Sequence, residues 1–277
     1  MSSTQPSKLF DLSGKTAVIT GGGGVLCGGI AKHLAAAGVH VAIMDLKREA
    51  AEDVAKAITA AGGQATAVGA NVLERQSLDL ALIRCEQVLG PIDILINGAG
   101  GNHPSATTSA DLKFFDIPID AFTKVMNLNL QGTVLPSMVF GKAMADRAEG
   151  VILNVASMNA FRPLTRIPAY SAAKAAVKNF TEWLAVHMAQ EYSPKIRVNA
   201  IAPGFMLTEQ NRFLLTDKQT GELTPRGKSI IAHTPMNRFG TDEDILGAVS
   251  FLLSPAAAFI TGVTLPIDGG FAAFSGV

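Results

Sequence analysis

The regular alternation of short apolar runs with longer helical patterns is the feature that most restricts how this chain can fold. Each run is rich in β-branched residues, and continuous apolar runs of this kind are typical of a parallel sheet that is covered on both faces. The alternation predicts right-handed β-α-β units in an α/β fold. The runs are 15–20, 39–45, 64–71, 92–97, 150–157, 196–203 and 262–270. The helical patterns are 26–37, 47–61, 73–89, 119–145, 170–191 and 242–253.

These runs and helices occupy the whole chain, so the sequence predicts one domain over residues 1–277. We expect a single-domain Rossmann fold, with a doubly wound seven-stranded parallel sheet flanked by helices. Two segments interrupt the alternation, at about 100–118 and 205–240. Long segments at the carboxyl ends of parallel strands usually form substrate sites, so we interpret both as substrate loops. The alternative for each is a disordered surface insertion.

The composition argues against nucleic-acid and membrane partners. Lys plus Arg equals Asp plus Glu, at 23 residues each, whereas a nucleic acid or a membrane surface favours a basic excess. The N-terminal residues lack the apolar stretch of a secretory signal, and the longest uncharged segment, 125–141, contains Asn, Gln, Pro and Gly. The two cysteines suit a reducing compartment. We therefore expect a soluble cytoplasmic protein, and no residue spacing predicts a metal site.

A glycine-rich loop, ITGGGGVLCGGIAKHLAAAG at 19–38, joins the first strand to the first long helix. A strand, a glycine turn and a helix N-terminus together bind pyrophosphate through free backbone N–H groups and the helix dipole. The loop lacks G-x-G-x-x-G. It begins the related pattern T-G-x-x-x-G-x-G at Thr20, but Val25 and Cys27 stand at the two later glycine positions. The loop alone leaves two alternatives, a dinucleotide site and a glycine turn without a ligand.

Cys27 itself has two interpretations. It lies at the start of a helix and is small enough to pack where glycine is usual. A helix N-terminus also depresses the pKa of a thiol, so the alternative is a reactive cysteine that the cofactor shields.

Asp45 ends the second strand, 24 residues after Gly21. A carboxylate at this position accepts hydrogen bonds from both ribose hydroxyls and repels a 2′-phosphate, so it favours NAD over NADP. Lys47 and Arg48 follow closely, and they either soften that discrimination or form a solvated first turn of the next helix. Asn71 ends the third strand, where it either reaches the adenine edge or forms a plain turn.

Four polar residues in the second half of the chain have a spacing that indicates proton transfer. Tyr170 and Lys174 stand four residues apart, on one face of a predicted helix. Ser157 ends the fifth strand thirteen residues before the tyrosine, and Asn129 lies 28 residues before the serine. Each residue alone has an ordinary interpretation as a cap, a helix contact or a half-buried ring. Together, and behind a glycine loop and Asp45, they indicate a catalytic set.

With these residues, the chain resembles the short-chain dehydrogenase/reductase family over essentially its full length. The resemblance implies an NAD(P)-dependent oxidoreductase that acts on CH–OH groups. The departures from the family pattern are Val25 and Cys27, and Gly98, where a second asparagine is usual. The matching segments are TGGGG (20–24), INGAG (96–100), YSAAK (170–174), RVNAIAPGFMLT (197–208), NRFGTDED (237–244) and ITGVTLPIDGG (260–270), together with Asn129 and Ser157.

The resemblance also implies a role for each site residue. Tyr170 exchanges a proton with the substrate oxygen, and Ser157 donates a hydrogen bond to that oxygen. Lys174 holds the nicotinamide ribose, and Asn129 positions a water that relays protons from solvent. The implied cofactor-binding residues are Gly21, Gly23, Gly24, Val25, Leu26, Asp45, Asn71, Val72, Asn97, Gly98, Ala99, Tyr170, Lys174, Pro203, Gly204, Met206 and Thr208.

Hydride transfer to a carbonyl produces an alkoxide that must be protonated, and the reverse reaction needs a base. A tyrosine with an ordinary pKa near ~10 is a poor base at neutral pH. We expect the Lys174 cation, one helical turn away, and the positive nicotinamide to lower the pKa of Tyr170 toward the working pH.

The substrate is predicted from two loops. The polar loop after the fourth strand carries His103, and Arg162 and Arg166 lie between Ser157 and Tyr170. Two guanidinium groups suit a carboxylate, but each arginine is as readily explained by a surface pair with an acid. The segments GGGGVL and NGAGGNHP resemble the sugar-acid branch of the family, the D-mannonate oxidoreductases (fructuronate reductases). The expected substrate residues are His103, Ser157, Arg162 and Arg166.

Two alternatives to this function stay open. The substrate is otherwise another polyol or sugar acid such as gluconate. A non-catalytic NAD-binding sensor is the rival class, although such a protein would be free to lose one of the four catalytic residues. The family resemblance also suggests a homotetramer built through the helices at 119–145 and 170–191, with the tail FAAFSGV near another interface.

Overall fold

The computed structural model describes residues 6–208, 212–217 and 220–276, and the described chain forms a single seven-stranded sheet. All pairings are parallel, and the strand order is β3-β2-β1-β4-β5-β6-β7. The sequence prediction of a doubly wound seven-stranded parallel sheet is therefore confirmed. The strands are β1 Thr16–Thr20, β2 His40–Asp45, β3 Ala65–Gly69, β4 Ile94–Asn97, β5 Gly150–Val155, β6 Ile196–Pro203 and β7 Thr264–Ile267.

Helices cover both faces of the sheet. Side chains along a strand alternate between faces. In β1, accordingly, Ala17 and Ile19 pack with helices on one face of the sheet, whereas Val18 packs with helices on the other face. Two apolar cores thus lie on opposite faces of the sheet. The helices are α1 Pro6–Leu9, α2 Val25–Ala36, α3 Arg48–Ala60, α4 Arg75–Leu89, α5 Ile119–Met126, α6 Gly132–Arg147, α7 Pro168–Glu191, α8 Arg212–Leu215, α9 Pro225–Ala232 and α10 Glu243–Leu253.

The strand order reverses at β1, which pairs with β2 on one side and with β4 on the other. Connections therefore leave in opposite directions from the ends of β1 and β4, and a crevice opens between them. The Thr20 hydroxyl fixes this point, because it accepts hydrogen bonds from the Gly98 and Ala99 N–H groups, each at 3.1 Å.

The predicted helix over 119–145 is interrupted in the structure. A π-helical turn at Asn127–Gln131 separates α5 from α6. Within it, the Asn129 side-chain amide donates to the Val125 carbonyl at 2.8 Å, so a side chain uses a carbonyl of the preceding turn. Such insertions are frequent at functional sites.

Both interrupting segments contain defined elements where they are described. The 100–118 segment has two short 3₁₀ turns, at Pro104–Ala106 and Phe114–Asp116. The 205–240 segment contains α8 and α9, and Met206 pairs with Gly240, so its two ends meet. Residues 209–211 and 218–219 lie outside the described parts. A search of the described residues found no helix long and apolar enough to span a bilayer.

Candidate active site

A cleft of about 470 Å³ opens at the carboxyl ends of β1, β4, β5 and β6. It contains most of the residues singled out in the sequence for cofactor binding and catalysis. The predicted residues that line it are Gly21, Gly24, Val25, Leu26, Asp45, Gly98, Ser157, Tyr170, Lys174, Pro203, Gly204, Met206 and Thr208.

Gly21 is required by the tight turn that starts the cleft. Its φ is +64°, and a Cβ there would lie 2.9 Å from the Ala99 backbone. Gly24 then occupies the N-cap of α2, with no side-chain cap. The first-turn N–H groups of α2 therefore lie beside the glycine turn without a side-chain acceptor at the N-cap. This arrangement suits a phosphate group.

Asp45 lies in the cleft and is held in place by the loop. One carboxylate oxygen accepts from the Gly23 N–H at 3.1 Å, and the other accepts from the Lys47 N–H at 3.0 Å. Arg48 is paired with Glu52 at 2.9 Å on the exposed side of α3. The carboxylate that the sequence places at the end of β2 is thus held beside the glycine loop by two backbone N–H groups, while the neighbouring Arg48 is paired with another acid.

Two departures from the family pattern fit each other. A Cβ placed on Gly98 would lie 2.1 Å from the Cys27 Sγ, so the cysteine side chain fills the space that a larger residue at position 98 would need. Burial raises the pKa of the Cys27 thiol to about 12. A raised pKa argues against a reactive, low-pKa cysteine, and the interpretation of Cys27 as a packing residue agrees with the structure.

The catalytic candidates meet beside this loop. Ser157 follows β5, and Tyr170 and Lys174 lie in α7, whose packing brings them to the same wall of the cleft. The Lys174 Nζ donates to the Val155 carbonyl at 2.7 Å and lies 5.6 Å from the centre of the Tyr170 ring. Hydrogen bonding by the Ser157 side chain acts to lower the pKa of Tyr170.

Asn129 stands behind this group. Its Oδ1 accepts from the Gly101 N–H at 3.1 Å, and its Nδ2 donates to the Gly101 carbonyl at 2.7 Å. A Cβ on Gly100 would lie 2.7 Å from the Asn129 Oδ1 and 3.4 Å from the Lys174 Nζ. The asparagine and the lysine therefore flank the same glycine, and Asn129 fixes the backbone of the loop after β4.

Burial controls the proton affinities of the group. It raises the pKa of Tyr170, and the Ser157 hydrogen bond only partly opposes this. It also lowers the pKa of Lys174 from 10.5 to about 8. The pKa of Tyr170 in the ligand-free chain thus moves in the direction opposite to that expected for the loaded site, because loss of solvation outweighs the contacts that stabilise a phenolate.

Several predicted residues lie outside the cleft lining. The Asn97 side chain is buried and donates to Ser137 and Asn154, and the Asn71 side chain donates to Glu74. Arg166 lines a separate hollow of about 520 Å³. The predicted site residues that do not line the cleft are Gly23, Asn71, Val72, Asn97, Ala99, Asn129, His103, Arg162 and Arg166.

The two arginines and His103 have local contacts instead. The Arg162 Nε donates to the Ala272 carbonyl at 3.1 Å, and the Arg166 carbonyl accepts from the Thr108 N–H at 2.8 Å. The His103 Nδ1 accepts from the Ser105 N–H at 3.2 Å. Arg238 forms a bidentate ion pair with Asp244, at 2.6 Å per contact.

The sequence reasoning missed other lining residues. Each of them stands within a few residues of the carboxyl end of a predicted strand, and that position is the signal that could have found them. They are Gly100, Gly101, Val155, Ala156 and Phe205.

Comparison with known proteins identifies the family. A family model described as "Enoyl-(Acyl carrier protein) reductase", one of the short-chain dehydrogenase models, matches residues 26–272. This chain belongs to the short-chain dehydrogenase/reductase family. It is an oxidoreductase of that family that acts on alcohol groups, and the description of the model names the activity of other members.

Individual relatives cover nearly the whole dehydrogenase. An uncharacterized oxidoreductase, UxuB of Bacillus subtilis (strain 168), is 49% identical over 276 residues, which are 96% of this chain and 98% of the relative. A crystal structure from Haemophilus influenza, named as a candidate D-mannonate oxidoreductase with bound NAD, is 48% identical with a TM-score of 0.90 and covers 96% and 98% of the two chains. The 5-keto-D-gluconate 5-reductase of Escherichia coli (strain K12) is 33% identical over 95% of this chain and 97% of its own length.

Proposed function

We propose that this dehydrogenase uses NAD to interconvert a secondary alcohol and a ketone on a sugar acid of the D-mannonate/D-fructuronate type. The observation that carries the proposal is the presence of Ser157, Tyr170 and Lys174 in one cleft with the glycine loop and Asp45. Hydride transfer to a carbonyl needs a proton donor beside the hydride carrier. In this cleft Tyr170 would be the proton donor, and the glycine loop and Asp45 would hold the carrier.

The residues present fit a dinucleotide. The turn at Gly21 would not admit a Cβ, and the first turn of α2, which has no side-chain cap, offers N–H groups to a pyrophosphate. Asp45 favours NAD over NADP because its carboxylate repels a 2′-phosphate, and Arg48 is already paired with Glu52. The bound NAD in the Haemophilus relative supports the same choice.

The proton path follows from the chain's own contacts. NAD supplies or accepts the hydride when bound. Tyr170 holds the proton that the substrate oxygen gains or loses, and Ser157 donates a hydrogen bond to that oxygen as charge develops on it. Lys174 favours the phenolate form of Tyr170 electrostatically and holds the nicotinamide ribose. Asn129, fixed against Gly101, positions a water that connects Lys174 with solvent.

The sugar-acid assignment rests on similarity and on charge. The relatives include a candidate D-mannonate oxidoreductase and a 5-keto-D-gluconate reductase. Lys174 is the cation among the described residues that line the cleft. Although Arg162, Arg166 and His103 lie outside the lining of this cleft, we retain the sequence prediction as part of the proposal: the exposed guanidinium groups of the two arginines bind the substrate carboxylate, and His103 contacts its hydroxyls.

A substrate panel tests this function. The absorbance of reduced nicotinamide is followed with D-fructuronate, D-mannonate, 5-keto-D-gluconate, gluconate and neutral polyols, each with NAD(H) and NADP(H). We expect the highest kcat/KM with D-fructuronate or D-mannonate and NAD(H). Preference for gluconate or its 5-keto form would select the second sugar-acid substrate. Tight NADH binding without turnover of any compound would favour the non-catalytic sensor.

We also propose that the protein is a homo-oligomer built through α6 and α7. Trp183 stacks on Phe180 and on His187, with ring centroids 6.3 and 4.8 Å apart, and Trp183 and Met138 are more than half exposed. An exposed apolar face of this kind is typical of an interaction surface. The tail rings Phe271 and Phe274 pack near His233 of the same chain, at 6.4 and 6.5 Å. The tetrameric state and the cytoplasmic location stay predictions.

A further inference from the structure

Asn159, two residues after the catalytic serine, makes an unusual pair of contacts with it. The Asn159 backbone N–H donates to the Ser157 Oγ at 3.2 Å, and the Asn159 Nδ2 donates to the same oxygen at 3.2 Å. Both residues are buried, with 7% and 6% of their surfaces exposed. One asparagine therefore provides two donors to one hydroxyl oxygen.

The orientation of the Asn159 amide is fixed by its other end. The Asn159 Oδ1 accepts from the Leu164 backbone N–H at 3.1 Å and from the Ser171 Oγ at 2.9 Å. A backbone N–H can only donate, so the oxygen of the amide must face Leu164. The nitrogen must then face Ser157, and the assignment of the two amide atoms follows from an unambiguous neighbour.

The consequence of these two contacts follows from the number of hydrogen bonds that a serine hydroxyl can form. A hydroxyl has one proton to donate and two lone pairs that accept. Asn159 occupies both lone pairs of Ser157, so the hydroxyl proton is the part of the group left to donate in the cleft that Ser157 and Tyr170 both line. Such a serine is prepared to donate to an oxygen that gains negative charge, which is the role that Ser157 has in the proposed function.

We propose that Asn159 is a positioning residue that makes Ser157 an obligate hydrogen-bond donor to the reacting oxygen. The inference rests on the proposed function. In this role Asn159 contacts neither the substrate nor the cofactor. Asn159 acts through Ser157, and its effect therefore requires the serine hydroxyl.

The substitution Asn159→Asp separates positioning from structural support. Asp keeps an oxygen toward Leu164 and Ser171, but its second oxygen faces Ser157 as an acceptor and captures the serine proton. We expect kcat to fall about 10²-fold, the size typical of losing one donor to a developing oxyanion. The loss should shrink as the pH falls through the carboxyl pKa, because a protonated carboxyl group donates to the serine again. Ser171→Ala is the matched control: it removes an Asn159 contact but leaves both donors to Ser157, and we expect less than about a twofold change.

The decisive comparison uses Ser157→Ala. We expect Asn159→Asp to reduce kcat in the wild-type background and to cause little further loss in the Ser157→Ala background. Equal losses in both backgrounds, or a Ser171→Ala loss as large as that of Asn159→Asp, would overturn the positioning role. Wild-type turnover in Ser157→Ala alone would instead overturn the catalytic set of the proposed function.

A readout without substrate comes from Tyr170. The sequence has two tyrosines, so Tyr192→Phe leaves Tyr170 as the sole phenol to titrate by ultraviolet absorbance. We expect Asn159→Asp to raise the pKa of Tyr170 in this background, because the serine no longer stabilises the phenolate. Most of the increase should vanish when Ser157→Ala is added, whereas an undiminished increase would mean that the new charge acts directly and would overturn the inference.

Discussion

Cys27 fills the space that a side chain larger than glycine at position 98 would need. Gly98→Ala places a Cβ 2.1 Å from the Cys27 Sγ and 2.9 Å from the Thr20 carbonyl oxygen. We expect the free energy of unfolding to fall by roughly 1–3 kcal/mol, the usual cost of overpacking. Adding Cys27→Gly removes the larger clash and should recover part of that loss, since residues in contact are energetically coupled. Urea unfolding of the single and double variants measures the coupling, and strictly additive losses would refute it.

The charge of Arg162 and Arg166 gives a second prediction at the residue scale. Replacing both by methionine removes the proposed carboxylate ligands while keeping much of the side-chain volume. We expect KM for a sugar acid to rise at least about tenfold, the value of one lost charge-assisted contact, with a smaller change in kcat. A neutral polyol that the enzyme turns over should be unaffected, and so should the control Arg84→Met on the exposed side of α4. An equal effect on acid and polyol would argue against carboxylate recognition.

At the scale of elements, the face shared by α6 and α7 predicts an interface. Trp183→Glu places a charge in an apolar patch that also contains Met138 and Val186. If this patch joins subunits, the substitution should lower the mass measured by light scattering while the far-ultraviolet circular dichroism stays unchanged. The control is Leu80→Glu, because Leu80 is an exposed apolar residue on α4. A monomeric wild type, or an unchanged mass in Trp183→Glu, would contradict the prediction.

The elements also show what the sequence could and could not predict. The seven strands followed from short β-branched runs, because burial on both faces leaves a local signal. The π-helical turn at Asn127–Gln131 has no such signal, since it is held by contacts between Asn129 and Gly101, far apart in the sequence. Spacing, together with the glycine loop and Asp45 earlier in the chain, indicated Asn129, Ser157, Tyr170 and Lys174, and the family resemblance supplied their roles. Their neighbour Asn159 was missed because its importance lies in which atoms it contacts.

For the whole molecule, the buried lysine makes stability depend on pH. The pKa of Lys174 is about 8 in the folded chain and 10.5 when unperturbed, so between these values the unfolded chain binds more protons. The free energy of unfolding contributed by this group must therefore rise with pH across that window. Between about pH 7.5 and about pH 9.5 we expect wild type to gain about 2 kcal/mol relative to Lys174→Met.

The comparison with Lys174→Met isolates the lysine. Burial raises the pKa of both Cys27 and Cys85 to about 12, and these thiols act in the opposite direction above pH 9. Both thiols are present in both proteins, so the contribution of Cys85 cancels in the difference, and that of Cys27 cancels apart from its electrostatic interaction with Lys174. Parallel stability curves for the two proteins would mean that Lys174 is not desolvated in the folded chain.

Replacement of Tyr170 by phenylalanine tests the catalytic assignment most directly. The substitution removes one hydroxyl and leaves the ring in place. The absorbance of reduced nicotinamide is followed with the best substrate of the panel, and NADH binding is measured separately by fluorescence. We predict that kcat falls by at least about 10³-fold, as for loss of a general acid–base group, while the Kd for NADH changes less than about threefold. Turnover within about tenfold of wild type would contradict the role of Tyr170 and with it the proposed mechanism.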